Sequence, residues 1–166
     1  MYLETVGRNA TLILNCPPDN TGHLPSATVN RLKELGEMMQ TRLKTDLAKT
    51  ASIEVSETRT PGTNRNYSAT NLTDDNKDTY WATNDGTTSA TITFSWTTPQ
   101  TLRYLQMQEY IKLGQRIKSW TVEYTTDGTT WTRLAPSVQT TTVGYKRILP
   151  LNGSTSNSYG KGYKAT

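Results

Sequence analysis

NLTDDNKDTYW, residues 71 to 81, sets Asp74, Asp75 and Asp78 among Asn71, Asn76 and Thr79 and then runs into a Tyr80-Trp81 pair. A second stretch, LQMQEYIKLGQRIKSWTVEY from Leu105 to Tyr124, alternates apolar and polar residues on both sides of a polar turn at Gly114-Gln115-Arg116. Carboxylates, carbonyls and hydroxyls crowded into one short loop are the oxygen ligands a hard cation takes. Period-two alternation is the signature of a strand with one wet face. A cation-type loop beside such strands points to a binding module and away from a catalytic machine.

Outward from these stretches the strand pattern continues. In Ala90 to Trp96, Ile92, Phe94 and Trp96 fall on one face and Thr91, Thr93 and Ser95 on the other. Leu102 to Glu109 and Ile117 to Thr125 are further strands, the latter with Trp120, Val122 and Tyr124 on one face, and Trp131 to Leu134 and Val143 to Leu149 complete the set. Asp85-Gly86 and Asp127-Gly128 supply the positive-φ residues of tight hairpins. Many short strands with turns between them predict a β-sandwich, with Trp81, Trp96, Trp120 and Trp131 in its core.

Composition agrees with a thin, half-wet β structure. Of 166 residues only 33% are hydrophobic, yet there are four Trp and nine Tyr against one Phe, and mean hydropathy is −0.67. The net charge is +4, but the excess is scattered without the basic stripe that phosphate backbones require, which argues against nucleic acid. No apolar run approaches a membrane span. Cys16 is the single cysteine, so no internal disulfide forms, and beside Pro17-Pro18 it reads as a small buried residue and not a nucleophile.

The first fifty residues are of another kind. A short apolar run, Leu12-Ile13-Leu14, reads as a strand and is followed by the breaker Asn15-Cys16-Pro17-Pro18-Asp19. A helix is expected from an N-cap at Ser26, with Val29, Leu32, Leu35, Met39, Leu43 and Leu47 at helical spacing. Strand, proline-rich turn and helix make half of a βαβ unit, joined to the strand-rich part near Lys49 to Ser52. Its apolar stripe has no obvious cover in the rest of the chain.

A sugar needs an aromatic plane for its C–H face and a few fixed polar groups for its hydroxyls. The loop candidates are Tyr67, Tyr110, Gln115, Arg116, Tyr145, Lys146 and Arg147, with Glu109 near one end. Two alternatives stand beside that reading: Glu109 pairing with Arg116, and Tyr145 facing the core.

From about Ala51 onward the chain resembles a discoidin domain, the coagulation-factor type C jellyroll that recurs in carbohydrate-binding module family 32. The stretches that carry the resemblance are NLTDDNKDTYWAT (Asn71 to Thr83), EYIKLGQRIKSWTVEY (Glu109 to Tyr124), TTDGTTW (Thr125 to Trp131) and TVGYKRIL (Thr142 to Leu149). VGRNATLILNCPPDNTGHLPSATVNRLKELGEMM (Val6 to Met39) is similar to the last strand-turn-helix of the glycoside hydrolase family 29 barrel, found in bacterial α-L-fucosidases.

The resemblance implies a mainly β fold: a discoidin-like sandwich jellyroll over 51–166, cut before its final strand, preceded over 1–48 by a remnant of a (β/α) barrel. It implies a structural Ca²⁺ held by the carbonyls of Asn71 and Asn76, the Asp74 carboxylate, and the carbonyl and hydroxyl of Thr79. It implies a carbohydrate-binding accessory module for fucose- or galactose-bearing glycans, the catalytic barrel of the same protein as partner, and a periplasmic or secreted bacterial location. The alternative role is a buttress packed on the barrel without sugar binding of its own. A retaining glycosidase needs two carboxyl groups about 5–5.5 Å apart; in the family both lie upstream, so no catalysis is expected from this stretch, and Asp19 reads as a turn residue. The patterns at Asn9, Asn71 and Asn152 that match glycosylation sites read as chance in a bacterial protein.

Overall fold

The structure, a computed structural model, describes residues 1–63, 65–134 and 142–151, together with the backbone of 160–165. One helix, α1 (Ser26–Leu43), precedes seven strands: β1 (Ser52–Val55), β2 (Ile92–Gln100), β3 (Tyr104–Met107), β4 (Val122–Thr125), β5 (Thr132–Leu134), β6 (Arg147–Pro150) and β7 (Gly160–Ala165). All pairings are antiparallel. Five strands form one sheet in the order β1-β2-β7-β4-β5, and β3 and β6 form a second.

The expected sandwich is the one observed. Trp96 of β2, Val122 of β4, and Ile148 and Leu149 of β6 are buried together with Val143, so the core draws on both sheets. Alternation explains why: Phe94 and Trp96, two positions apart on β2, lie on one face with ring centroids 6.4 Å apart. The Trp96 indole N–H is satisfied by the carbonyl of Leu47 at 3.0 Å, which fixes the junction between the two parts of the chain. The Trp81 indole is satisfied likewise by the Glu57 carbonyl at 3.0 Å.

The alternation pattern ends its run of strands at Leu149, whereas the structure adds β7 inside the larger sheet, paired with β2 on one side and β4 on the other. GKGYKA has two glycines and no apolar alternation, so its strand state comes from its neighbours and not from its own pattern. The edges of that sheet are β1 and β5.

Four local expectations are corrected. Leu12-Ile13-Leu14 forms no strand, and Ile13 is 85% exposed; among the described residues no neighbouring strand offers it a ladder. The helix cap is Pro25, with Ser26 already helical and no side-chain cap bond. Leu47 lies past the end of α1, in a 3₁₀ turn capped by the Asp46 carboxylate. Asp85-Gly86 forms a turn with Gly86 at φ 88°, but no strand precedes it closely enough to make a hairpin. Asp127-Gly128 does join β4 to β5, as expected.

The N-terminal segment is sewn to β6. The Ile148 N–H donates to the Gly7 carbonyl at 3.0 Å, and Arg8 bridges Arg147. Asn9, at φ 67°, donates from Nδ2 to the Val143 carbonyl and accepts at Oδ1 from the Lys146 N–H. Two glycines are required at this seam. A Cβ on Gly7 would stand 2.5 Å from the Leu3 carbonyl oxygen, and Gly144, at φ 67°, would put one 2.8 Å from the Asn9 side chain.

Candidate functional site

The acidic loop is a closed web of hydrogen bonds. It leaves a 3₁₀ turn at Ala69–Leu72, capped by the Ser68 hydroxyl. Asn71 donates from Nδ2 to the carbonyl of Tyr80 and to Asn66, tying the two ends of the loop together. Asp74 accepts the Asn76 N–H at 2.8 Å and the Thr79 hydroxyl at 2.6 Å. The Thr79 hydroxyl, then the Asn76 N–H, hold the Asp74 carboxyl below the usual carboxylate range. Asp75, in the left-handed region at φ 59°, turns out to Lys49, and Asp78 pairs with Lys112 at 2.5 Å.

Of the four residues expected to hold a cation, Asp74, Asn76 and Thr79 therefore converge. The Thr79 hydroxyl oxygen lies 2.6 Å from the Asp74 carboxylate and 2.9 Å from the Asn76 carbonyl. One carboxylate with carbonyl and hydroxyl oxygens suits a hard cation of the calcium kind, and nothing in the set is soft. Among the described residues no three His, Cys, Asp or Glu side chains gather, because Asp75 and Asp78 are spent on lysines.

Beside this loop runs a row of tyrosines. Tyr80 stacks on Tyr110 with centroids 4.3 Å apart and planes at 22°, and Tyr67 tilts against Tyr80 at 5.4 Å. Arg59 lies over the Tyr67 ring at 5.6 Å and holds Asp85 through both guanidinium nitrogens at 2.5 and 2.9 Å. Lys112 sits 5.8 Å from the Tyr110 ring. The Tyr110 and Tyr80 hydroxyls raise the pKa of Arg65, so this guanidinium faces the row as well. Aromatic planes rimmed by fixed charged hydrogen-bonding groups are what a sugar or other small polar ligand requires.

Tyr67 and Tyr110, both read as sugar contacts from the sequence, meet in this row. Arg116 acts on Asp85 only as a minor charge, and Gln115 is exposed next to it in the chain, just after Gly114 at φ 82°. Glu109 does not form an ion pair with Arg116. Its carboxylate accepts the backbone N–H groups of Arg116, Ile117 and Gly144 at 2.7, 2.9 and 2.7 Å, fixing two loops at once.

Tyr145 does not face the core but is 57% exposed, and among the described residues no ring contact links it to the row. Lys146 is engaged by Asn9 through its backbone. Arg147 is 6% exposed and lines a different cleft. Arg59, Arg65, Tyr80 and Lys112 escaped the sequence reading. Tyr80 stood out in the sequence only as part of the Tyr80-Trp81 pair, and pairings such as Arg59 with Asp85, 26 positions apart, leave no mark in one sequence.

Asp19 is indeed a turn residue: its Oδ1 accepts from the Thr21 N–H, the Thr21 hydroxyl and the His23 N–H. The Asn9 and Asn71 amides are both committed to backbone groups, and Asn152 lies outside the described residues.

Residues 50–159 match the family described as the F5/8 type C domain. A relative in Oryza sativa subsp. japonica that carries an alpha-L-fucosidase 1 name is 32% identical over 148 residues, which is 89% of this chain and 28% of the relative. Alpha-L-fucosidase 1 of Arabidopsis thaliana is 29% identical over 150 residues, covering 90% of this chain and 29% of its own length. Among solved structures, a Ruminococcus gnavus GH29 fucosidase in complex with fucose superposes with a TM-score of 0.85 at 37% identity, over 99% of this chain and 31% of that one. The chain thus spans under a third of the length of these relatives.

Proposed function

This chain belongs to the F5/8 type C domain family, and on that premise we propose that it is a carbohydrate-binding accessory module of a family 29 α-L-fucosidase. It directs the enzyme to fucose- or galactose-bearing glycans and raises the local substrate concentration by tethering. The retaining hydrolysis itself belongs, on this reading, to a catalytic barrel of the same polypeptide. The observation that carries this reading is the row Tyr67-Tyr80-Tyr110, rimmed by Arg59, Arg65 and Lys112. The Tyr110 face is the stacking platform, and the cations with Gln115 address the sugar hydroxyls.

A calcium ion on Asp74, Asn76, Thr79 and the Asn71 carbonyl staples the neighbouring loop and takes no part in chemistry. A module serving a glycan-degrading enzyme works in the periplasm or outside the cell.

Titration of the chain with L-fucose, D-galactose and N-acetylhexosamines, followed by NMR in the presence of calcium, tests the reading. We expect millimolar or tighter binding to at least one of them. The Tyr110→Ala variant is expected to bind about tenfold more weakly, a loss of about 1.4 kcal/mol. Absence of binding to all of these sugars sinks the proposal.

The second reading, a buttress on the barrel without sugar binding, is favoured by α1, in which no residue is buried. Deleting the module from the whole enzyme separates the two. Loss of activity on small synthetic fucosides supports the buttress, and loss confined to polymeric glycans supports the module.

A further inference from the structure

A cleft of about 360 Å³ opens between the N-terminal turn and β6, lined among others by Tyr2, Leu3, Glu4, Arg8, Met38 and Arg147. Among its lining residues is a buried guanidinium, that of Arg147. Arg147 is 94% buried, its exposure being 6%. Among the described residues its Nε–H finds no acceptor and no carboxylate pairs with it. Glu4 is the acid that lines the cleft, and it is held by Arg8 at 3.6 Å. The charged group that acts on Arg147 is Arg8, another cation; burial first, and Arg8 second, push the Arg147 pKa down. Arg8 takes the one carboxylate that lines the cleft, and Arg147, the more buried cation, goes without.

An unpaired buried cation is among the costliest features a fold can carry, and its remedy is a hydrogen-bonded counter-ion. The guanidinium fork suits a carboxylate, which it binds through two parallel N–H···O bonds. The surrounding Tyr2, Leu3 and Met38 suit an acidic side chain carried on an apolar surface better than a free multivalent anion. At Met38 the cleft meets α1, none of whose residues is fully buried. The relatives that match nearly all of this chain place most of their own length outside the match.

We propose that this cleft seats an acidic side chain of the catalytic barrel of the same polypeptide, its carboxylate pairing with Arg147 while neighbouring apolar residues cover α1. The proposal rests on the reading of the chain as a fucosidase module, and its test is built to fail separately from that reading.

Thermal melts of the chain are compared in sodium acetate and in sodium chloride at equal ionic strength. Acetate is expected to raise the melting temperature of the wild type saturably by about 2–4 °C, and that of Arg147→Met not at all. In chloride, Arg147→Met is expected to melt above the wild type, because a side chain of similar volume replaces an unpaired charge. Arg147→Lys keeps the charge without the fork and should respond to acetate more weakly than the wild type. In the polypeptide that includes the barrel the sign reverses, and Arg147→Met melts below its parent.

The proposal is overturned by an equal acetate shift in wild type and Arg147→Met, by a lower melting temperature for Arg147→Met in chloride, or by no effect of the substitution in the barrel-bearing polypeptide. A concentration-dependent dimer of the chain that Arg147→Met abolishes also overturns it, by putting a second copy in the seat. The acetate arms involve neither sugar nor barrel. Failed glycan binding with an intact acetate response therefore removes the functional reading and leaves the seat.

Discussion

Asp127 uses its charge on backbone rather than on a cation. Its Oδ1 accepts the Thr129 and Thr130 N–H groups at 2.8 and 2.7 Å and the Thr125 hydroxyl at 2.8 Å, which closes the β4–β5 turn around Gly128. These bonds, Thr130 foremost, hold its carboxyl far below the usual value of 3.8. A carboxyl depressed in the folded state contributes stability that is present above the unfolded pKa and lost as pH falls toward the folded one. Asp127→Asn keeps the acceptor oxygen and removes only the charge. The variant should therefore unfold at lower urea than the wild type at pH 7, with the gap closing as pH is lowered below about 3.9. A gap that stays constant from pH 7 to pH 2 contradicts this account. Asp19, Asp74 and Glu109 work in the same way, each satisfying backbone N–H groups of its own neighbourhood. Of the three aspartates in the acidic loop, Asp74 alone fastens backbone, while Asp75 and Asp78 pair with lysines.

At the scale of elements, what the sequence made legible depended on where each element finds its partner. Strand β2 was plain because its alternation is written in its own residues, and Asp127-Gly128 because a positive φ is a local demand. Leu12 to Leu14 and β7 failed in opposite directions for one reason. A strand exists through its neighbours, and Leu12 to Leu14 has none among the described residues, while GKGYKA lies between two. The site divided likewise: Tyr67, Tyr110 and the Asp74 loop could be read, but Arg59, Arg65 and Lys112 reach it only through tertiary folding. Helix α1 is the clearest case of a local pattern whose partner is elsewhere. Its period is visible in the sequence and its range nearly as expected, yet no strand packs extensively along it and none of its residues is buried. Leu32→Glu should therefore change the unfolding free energy of the chain by no more than about 0.5 kcal/mol, as at an ordinary surface site, while reducing self-association in sedimentation. A loss of about 2 kcal/mol or more, typical of a packed core leucine, would mean that α1 is already docked on the sandwich.

On the scale of the whole molecule, few buried side chains hold a great deal of loop. The fully apolar core of the described residues is Trp96, Val122, Val143, Ile148 and Leu149, and the described residues of the connection from Ser56 to Thr91 form no strand beyond an isolated bridge. A connection of that length ordinarily binds something or is held by something. Here the holding point is the Asp74, Asn76 and Thr79 oxygens, and the same oxygens serve either as a hydrogen-bonded web or as a cation cage. The two cases differ in what calcium does to global stability. A ligand bound only by the folded state at about a hundredfold its Kd adds about 2.7 kcal/mol, which for a chain of this size is a rise of about 5–10 °C in Tm. Melts in saturating calcium are expected to show that rise over melts in chelator for the wild type, and Asp74→Asn, which halves the formal donor capacity while preserving shape, is expected to lose most of it. The same rise should sharpen the sugar response of Tyr110, because Tyr80 stacks on that ring and its carbonyl is held by Asn71 at the end of the stapled loop. Identical melts with calcium and with chelator would leave the loop as a web of hydrogen bonds alone, with Asp74 serving Thr79 and Asn76 and no ion.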